Sequence, residues 1–259
     1  KDILDKVALF CNVEQGAVMQ SVDVSTIYEV PVMMQKQGMD EVVLRKMNMP
    51  VEGSANLEAW KAFLQKRKNA RKEVCIKLVG KYAELPDAYK SINEALSQAA
   101  IYNDRQLRLD VCHSEKITDE NIEEILRDAD GIVIAPGFGQ RGIEGKYLAL
   151  GYARENDIPT FGICLGMQCM VIEYARAVLG IPEANSSEFD PKAADKVIDL
   201  MEAQKHITNM GASMRLGAYD CTIKKGSLAY KAYGKAKVSE RHRHRYEFNN
   251  VYKDRFEAG

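Results

Sequence analysis

Four short apolar segments alternate with amphipathic segments between residues 73 and 179, and this alternation limits the folds open to the chain. The apolar segments predict buried strands at 74–80, 107–111, 131–135 and 160–163. The amphipathic segments predict helices at 86–100, 118–127 (capped by Thr118), 145–155 and 165–179. Strands alternating with helices predict an α/β, Rossmann-like (flavodoxin-like) fold, with a mostly parallel sheet flanked by helices.

The turn after the fourth strand carries the most informative motif. In a sheet of this kind, ligands bind at the carboxyl ends of the strands. Here the strand runs directly into Cys164 and a helix begins at Leu165, in the frame Gly162-x-Cys164-x-Gly166. This is the cysteine form of the strand–nucleophile–helix elbow. In so sharp a turn, a side chain at either glycine would collide with neighbouring backbone. The motif alone also describes a buried structural cysteine.

The position of Cys164 favours nucleophilic chemistry. The unpaired N–H groups at a helix N-terminus stabilise a thiolate, and the Leu165 N–H can bind an oxyanion. A glycine-rich loop, residues 135–142, follows the third strand at the same sheet edge, and its Gly137 N–H is the predicted second donor. A phosphate-binding loop is the competing interpretation. It is disfavoured because the Lys-Ser/Thr of a G-x-x-x-x-G-K-S/T loop does not follow these glycines.

Charge and cysteine content argue against several other classes. The formal charge is −1, which gives no global case for nucleic-acid binding, and the apolar stretches are shorter than the ~18–20 residues of a membrane span. The six cysteines form no C-x-x-C pair and no zinc spacing. We therefore expect no metal, no disulfide framework, no nucleic-acid or membrane partner, and a reducing, cytoplasmic environment.

The first 72 residues do not continue the α/β pattern. Residues 7–13 are apolar and predict a buried strand, but 1–50 contains too few elements for a domain and is predicted to be the end of a preceding one. Residues 51–72 predict a linker helix. Its basic end, 66–72, is interpreted as a solvated helix terminus. A nucleic-acid patch is the alternative, and the lack of aromatic residues among these charges argues against it. The α/β domain is predicted to occupy 73–259.

At the level of whole motifs the chain resembles the CTP synthase family, in its class I, triad-type glutaminase domain and the end of its synthetase domain. The segment 162–168 is similar to triad glutaminases in general. Segments similar to CTP synthases in particular lie at 81–89, 141–145, 184–188, 214–217 and 241–247. The resemblance implies that Cys164 forms a thioester with glutamine, and that the ammonia released aminates UTP, activated by ATP, to CTP.

The resemblance also implies roles for individual residues. Gly137 and Leu165 match the oxyanion hole, while Glu188 and Arg245 suit the α-amino and α-carboxylate groups of glutamine. The full set of implied glutamine-binding residues is Gly137, Leu165, Gly166, Met167, Gln168, Glu188 and Arg245. Lys6 and Val24 match positions that contact the nucleotides. For a full-length enzyme the family implies ATP, Mg²⁺, GTP as activator, and a homotetramer.

The sequence departs from the family pattern in three ways. The lid motif, usually Gly-Gly-Thr-Met-Arg in the family, reads Gly-Ala-Ser-Met-Arg from residue 211, a mild change. The loop reads Ala-Pro-Gly-Phe-Gly from residue 135, where the family usually has Pro-Gly-Gly-Phe-Gly. The His-Pro-Glu motif that supplies the family's base does not occur among the 259 residues. His244 and Glu247 are an alternative pair, although the resemblance assigns their segment to substrate binding. We expect a chain cut short at both ends; another triad glutaminase and a folded, inert fragment are the rival interpretations.

Overall fold

The structure is a computed structural model that describes residues 2–53, 55–85, 87–201 and 215–259. Contacts divide the chain into two compact units. One contains Lys1–Val74 with Glu94–Leu107, and the other contains Cys75–Asn93 with Arg108–Gly259. The domain limits expected from the sequence, at residues 50 and 72, stay a prediction.

The described residues form ten α-helices and nine strands, in addition to short 3-10 turns. The helices are α1 (Asp2–Cys11), α2 (Val30–Lys36), α3 (Met39–Lys46), α4 (Glu58–Asn69), α5 (Lys90–Tyr102), α6 (Ile122–Leu126), α7 (Ile143–Glu155), α8 (Leu165–Ala177), α9 (Leu228–Tyr233) and α10 (Lys253–Ala258). The strands are β1 (Lys72–Gly80), β2 (Arg105–His113), β3 (Gly131–Ile134), β4 (Thr160–Gly162), β5 (Ala184–Ser186), β6 (Asp195–Leu200), β7 (Arg215–Thr222), β8 (Lys237–His244) and β9 (Tyr246–Phe248).

The main sheet has the strand order β2-β1-β3-β4. β3 lies between β1 and β4 and runs parallel to both, with Val133 opposite Leu78 on one side and Phe161 on the other. All four predicted strands and all four predicted helices of this region are present, and the α/β fold class is confirmed. Because the strand order places β3 next to β4, the loop after β3 and the turn after β4 lie side by side at one sheet edge.

The sheet is the core of the molecule. Leu78, Ile132 and Ile134 are at most 1 % exposed, and α7 and α8 contribute Ala149, Leu150 and Cys169 to the same cluster. Strands of a parallel sheet covered on both faces are apolar along their whole length. This burial explains why β3 appears in the sequence as a continuous apolar run, and why the run of β1 from residue 74 to 80 is interrupted only by Lys77.

Two smaller sheets complete the fold. β6 pairs with β5 in parallel and with β9 in antiparallel orientation. β7 and β8 form an antiparallel ribbon, with Gly217 opposite His242. The alternating pattern at 214–223 predicts this antiparallel strand, and β7 confirms it from residue 215 onwards; Met214 lies outside the described residues. The β5-β6-β9 sheet was not predicted from the sequence.

The predicted buried strand at 7–13 is wrong. Residues 7–11 belong to α1, where Ala8 is buried while Leu9 and Phe10 are 79 % and 87 % exposed, and residues 12–13 follow the end of this helix. A short apolar run is compatible with a strand or a helix, and its length alone does not separate them. The run of apolar residues therefore reflects an apolar, solvent-facing helix surface and not an interior strand.

Helix α6 begins later than the sequence indicates. The backbone N–H groups of Asn121 and Ile122 both donate to the Thr118 carbonyl, so that residues 118–121 form a turn. Asn121 occupies the N-cap position and α6 starts at Ile122. The prediction that Thr118 caps this helix is therefore wrong, and Thr118 instead opens the turn that precedes it.

The predicted linker helix corresponds to α4, whose last turn contains Lys66, Arg67 and Lys68. Its Trp60 indole N–H donates to the Tyr28 carbonyl at 2.7 Å, and the Tyr28 ring contacts the rings of Trp60 and Phe63 edge to face. Aromatic contacts of this type stabilise a helix through packing more than helix propensity does. α4 therefore packs against other residues of the first unit.

Candidate active site

Cys164 lies in a strained turn between β4 and α8. It is the N-cap residue of α8, with a φ of 53°, a left-handed value that is uncommon for a residue with a side chain. A Cβ on Gly162 would lie 2.5 Å from the Gly166 carbonyl carbon, and a Cβ on Gly166 would lie 2.1 Å from the Ile134 oxygen. These backbone approaches are the physical reason for glycine at both positions of the motif. Strain of this kind is concentrated at functional sites.

The Cys164 thiol is half-buried, and the Leu165 N–H donates to its sulfur. Burial is the largest influence and raises the pKa of Cys164 above the ordinary thiol value. The Leu165 N–H and the charge of Lys146 lower this pKa, while Glu188 raises it. The stabilisation of the thiolate expected at a helix N-terminus is thus present, but burial outweighs it, so the nucleophile needs a proton acceptor.

The loop after β3 runs beside this thiol. A Cβ on Gly137 would lie 3.4 Å from Leu165 Cδ2, which places the two predicted oxyanion-hole residues next to each other. Three contacts hold the loop. The ammonium groups of Lys146 and Lys81 donate to the carbonyls of residues 135 (2.8 Å) and 138, and the Gly139 N–H donates to Glu188 at 2.9 Å.

A cavity of about 240 Å³ opens at the sulfur. It is smaller than the cavities of about 300–1,000 Å³ that accept drug-sized ligands, and it is of a size for an amino acid. The residues that line it come from the loop, from α8, from the segment after β5 and from β8 and β9: Gly137, Phe138, Cys164, Gln168, Glu188, His244, Arg245 and Tyr246. Five of the predicted site residues, which are far apart in sequence, therefore share one cavity.

The walls of this cavity carry groups that suit a zwitterionic ligand. Glu188 and Arg245 have opposite charges, which complement an α-amino and an α-carboxylate group respectively. Gln168 is 3 % exposed; its amide N–H donates to the Tyr246 carbonyl at 3.2 Å, while its Oε1 is buried without a hydrogen-bond partner among the described residues. An acceptor left unpaired in a polar cavity is suited to a donor from a ligand.

The remaining predicted glutamine-binding residues lie beside the cavity and not in its lining. Leu165 and Gly166 are buried, and the Gly166 N–H donates to the Ile163 carbonyl at 2.9 Å. The Met167 side chain is 37 % exposed and lines a neighbouring cavity of about 710 Å³. That second cavity also reaches Cys164 and is bordered by the basic strand β8, from Arg241 to His244.

His244 lines both cavities, together with Cys164. Its Nε2 lies 4.0 Å from Glu247 Oε2, and its ring contacts the His242 ring edge to face. The alternative pair suggested by the sequence is therefore next to the thiol. Sequence patterns did not single out Phe138 and Tyr246, which complete the lining, because isolated aromatic residues in a loop and a three-residue strand carry no periodic signal.

The predicted nucleotide-contacting residues lie in the first unit. Lys6 is on an exposed part of α1, and Val24 is half-buried in the segment before the 3-10 turn at 27–29. His206 and most of the segment resembling the family's lid, 211–214, lie outside the described residues.

One group of potential metal ligands occurs in the described part of the chain. Ligand atoms of Cys75, Asp110 and Asp128 lie within 4.8 Å of one another. The Lys77 ammonium, however, lies 2.7 Å from both carboxylates and occupies the position that a cation would take. This cluster is an ion-pair network between β1, β2 and the segment before β3. Among the described helices, none has the length and apolar character required to cross a membrane.

Comparison with protein families identifies two matching segments. A model of class-I glutamine amidotransferases matches residues 84–258, and a model of the CTP synthase N-terminus matches residues 1–49. The first match includes the thiol, the loop after β3 and the rest of the cavity lining. The second covers the part of the chain that precedes α4.

Similar proteins are found among curated sequences and solved structures. A CTP synthase of Porphyromonas gingivalis is 62 % identical over 99 % of this chain and 48 % of its own length, and one of Bacteroides fragilis is 60 % identical over 97 % and 47 %. The chain thus spans about half the length of the curated relatives it matches. The structure of a Trypanosoma brucei CTPS glutaminase domain with bound acivicin matches with a TM-score of 0.65 and 38 % identity, over 71 % of this chain and 72 % of that one.

Proposed function

Because the chain belongs to the CTP synthase family, through a class-I glutamine amidotransferase domain, we propose that it hydrolyses L-glutamine at Cys164. In the whole protein the ammonia released aminates UTP to CTP in an ATP-dependent reaction. The observation that supports this proposal is the strained Cys164 turn, opposite Gly137 and inside a cavity with an acidic and a basic wall. Cavity size, charge and nucleophile all suit a small amino acid with a side-chain amide.

The chemistry follows from the groups in the cavity. The Cys164 sulfur attacks the side-chain amide carbon, so that a C–S bond forms and the carbonyl oxygen becomes an oxyanion bound by the N–H groups of Gly137 and Leu165. The C–N bond then breaks and the nitrogen leaves as ammonia after taking up a proton. Water attacks the resulting thioester, releases glutamate and restores the thiol.

The proton transfers require a base, because burial raises the pKa of the Cys164 thiol. Two candidates can be distinguished. His244 lines the cavity in this chain and lies near Glu247. The His-Pro-Glu of the family is the other candidate, and it would leave His244 and Arg245 as binding residues. We favour the second assignment, since Arg245, which directly follows His244 at the end of β8, belongs to the wall that faces the substrate α-carboxylate.

Glutamate release tests the function and the identity of the base together. We expect the chain joined to the remaining segments of the P. gingivalis relative to release glutamate, and Cys164→Ala to abolish the release. His244→Gln in the same protein should weaken glutamine binding and leave a measurable kcat. Loss of kcat by the ~10²–10⁴-fold typical of a missing general base would instead identify His244 as the base. No hydrolysis in the intact protein would overturn the proposal.

For the whole protein we further propose ATP with Mg²⁺ as the activating pair, UTP as the acceptor, GTP as an activator, a homotetramer and a cytoplasmic location. These follow from the family and from the matched N-terminal segment. Within the described part of residues 1–49, no three acidic, histidine or cysteine side chains lie within ligating distance of one another.

A different triad glutaminase is the alternative within the same fold. The match of residues 1–49 to a CTP synthase N-terminus favours the CTP synthase assignment, because that segment lies outside the glutaminase domain. Glutamate release does not separate the two alternatives, whereas formation of CTP from UTP and ATP by the joined protein does.

A further inference from the structure

Lys146 is a buried lysine close to the thiol that the chemistry above does not use. It lies on α7, its side chain is 1 % exposed, and no carboxylate among the described residues pairs with it. Its ammonium donates to the Ala135 carbonyl at 2.8 Å. Burial lowers the pKa of Lys146, which shows that the fold opposes a charge here. A lysine retained at such a position without a counter-ion is a candidate for a functional role.

The position of the Ala135 carbonyl suggests that role. Ala135 is the residue at which the chain leaves the sheet: its N–H still donates to the Val79 carbonyl at 2.9 Å, and its carbonyl faces Lys146. Two residues later the chain presents the Gly137 N–H. The rigid peptide plane of this carbonyl ends at the nitrogen of Pro136, whose ring fixes φ, so holding the carbonyl limits the direction of the Gly137 N–H that follows.

The far end of the loop is held as well. Lys81 donates to the carbonyl of residue 138, and Glu188 accepts from the N–H of Gly139. The loop is thus held at the carbonyl of residue 135 on one side of Gly137 and at the peptide group between residues 138 and 139 on the other. Lys146 differs from Lys81 in being nearly inaccessible to water, so no solvent molecule is available to replace its hydrogen bond.

Lys146 also contributes charge. Its electrostatic influence lowers the pKa of Cys164 and of Cys169, the two thiols of the turn and of α8. A fixed positive charge behind an oxyanion hole stabilises negative charge that develops on the sulfur or on the oxygen, and the stabilisation is large because the surroundings exclude water.

We propose that Lys146 is a positioning residue for the oxyanion hole: its buried ammonium fixes the Ala135 carbonyl, orients the Gly137 N–H toward Cys164 and supplies positive charge behind the reacting atoms. This role of Lys146 rests on the proposed glutaminase function. Lys146 does not contact the substrate, and it acts through the loop.

Lys146→Met is the variant of choice, because methionine has a similar volume and carries no charge. Loss of the hydrogen bond to the Ala135 carbonyl lowers stability while removal of an unpaired buried charge raises it, so this variant should unfold at a temperature close to that of the parent. Lys77→Met is the matched control. Lys77 is also a buried lysine of the main sheet, but it pairs with Asp110 and Asp128, and its loss should lower stability without affecting Cys164.

The first measurement compares a ligand that needs the oxyanion hole with one that does not. The probe is L-glutamate γ-semialdehyde. The Cys164 sulfur adds to its aldehyde carbon as the C=O π bond breaks, and the aldehyde oxygen becomes an oxyanion. This oxygen then takes up the proton that the thiol gives up. We expect Lys146→Met to weaken its binding about 10–100-fold, as partial loss of an oxyanion donor would. Binding of L-glutamine itself, measured in a Cys164→Ala background, should change little, and Lys77→Met should change neither.

The second measurement needs no glutamine site. With the exposed Cys11 and Cys221 replaced by serine, the rate of Cys164 alkylation by iodoacetamide is followed against pH by peptide mass spectrometry. In Lys146→Met the midpoint of the rate profile should move to higher pH, and in Lys77→Met it should stay that of the parent.

The outcomes separate failure of the proposed glutaminase function from failure of the positioning role of Lys146. If the parent binds neither glutamine nor the semialdehyde, the proposed function fails, and the alkylation profile alone decides whether Lys146 acts on the thiol. If the parent binds both and Lys146→Met binds them equally well, with an unchanged alkylation midpoint, the positioning role is overturned. A lower melting temperature with equal weakening of both ligands would indicate a structural role only and would also overturn it.

Discussion

At the scale of single residues, environment separates the cysteines of this chain. Burial raises the pKa of Cys112 to about 11 and that of Cys169 to about 12, and neither thiol lies in a cavity that also contains the loop after β3. Cys164 is half-buried, receives the Leu165 N–H and opens into two cavities. Geometry at the turn, more than acidity, therefore marks the nucleophile.

Gly166→Ala tests this geometry. The added methyl group would lie 2.1 Å from the Ile134 carbonyl oxygen, which belongs to the main sheet and has no room to move. We expect a loss of at least the ~1–3 kcal/mol typical of overpacking, together with loss of Cys164 reactivity toward glutamine analogues. Urea unfolding and labelling with an analogue measure the two effects.

Gly151→Ala is the matched control for this substitution. Gly151 lies in α7, where a Cβ would approach Glu173 Oε1 to an ordinary 3.6 Å. Since alanine favours a helix by about 0.5–1 kcal/mol over glycine, this variant should be slightly more stable. Equal stability losses for the two variants would contradict the steric account of the Cys164 turn.

At the scale of helices and strands, the main sheet was predictable and the cavity walls were not. Buried parallel strands such as β3 can be predicted from their apolar runs, and the glycines on either side of Cys164 predict the turn between strand and helix. The wall formed after β5 and by β9 depends on three-residue strands, whose pairing is set by tertiary contacts. Glu188 and Arg245 were identified through resemblance alone, and residues 7–13 were misassigned because a short apolar run fits either type of element.

The ion-pair network of β1 and β2 gives a prediction about pH. Hydrogen bonds from Lys77 and then Arg108 hold the pKa of Asp128 below its usual range. A carboxylate whose pKa is lowered by folding stabilises the fold above its unfolded pKa, about 3.9, and this contribution is lost as the pH falls below that value. Asp128→Asn should therefore be less stable than the parent at pH 7, and the difference should shrink toward pH 3.

Urea unfolding at the two pH values measures this difference. Asp23→Asn provides the control, because Asp23 is exposed and makes no ion pair among the described residues. It should leave the stability unchanged at both pH values. A stability difference for Asp128→Asn that is the same at pH 7 and pH 3 would show that the network does not respond to the titration of this carboxylate.

At the scale of the whole molecule, the first unit exposes a large apolar surface. On α1, Ile3, Leu9 and Phe10 are 73 %, 79 % and 87 % exposed. Ile3 and Phe10 are seven residues apart and lie on one face of α1, and exposed apolar residues grouped in this way are typical of an interaction site. It agrees with the proposal that the matched N-terminal segment functions within a larger synthetase and an oligomer.

Phe10→Glu should reduce self-association of the isolated chain, because it places a charge on this surface without removing a buried group. Sedimentation velocity over a range of concentrations measures the effect, and thermal unfolding should show a stability change within about 0.5 kcal/mol. Leu228→Glu, at a residue 81 % exposed in the other unit, is the control and should leave association as in the parent. The same reduction in both variants would show that added charge, not α1, is responsible.

The order in which the cavity lining occurs along the chain has a consequence for biosynthesis. A ribosome releases Gly137 and Cys164 well before Glu188, and the basic wall at Arg245 emerges last. A nascent chain that has completed the main sheet thus carries the nucleophile without the groups that bind its substrate. Under the proposed function, glutamine binding on the nascent chain therefore has to wait until Arg245 has left the ribosome.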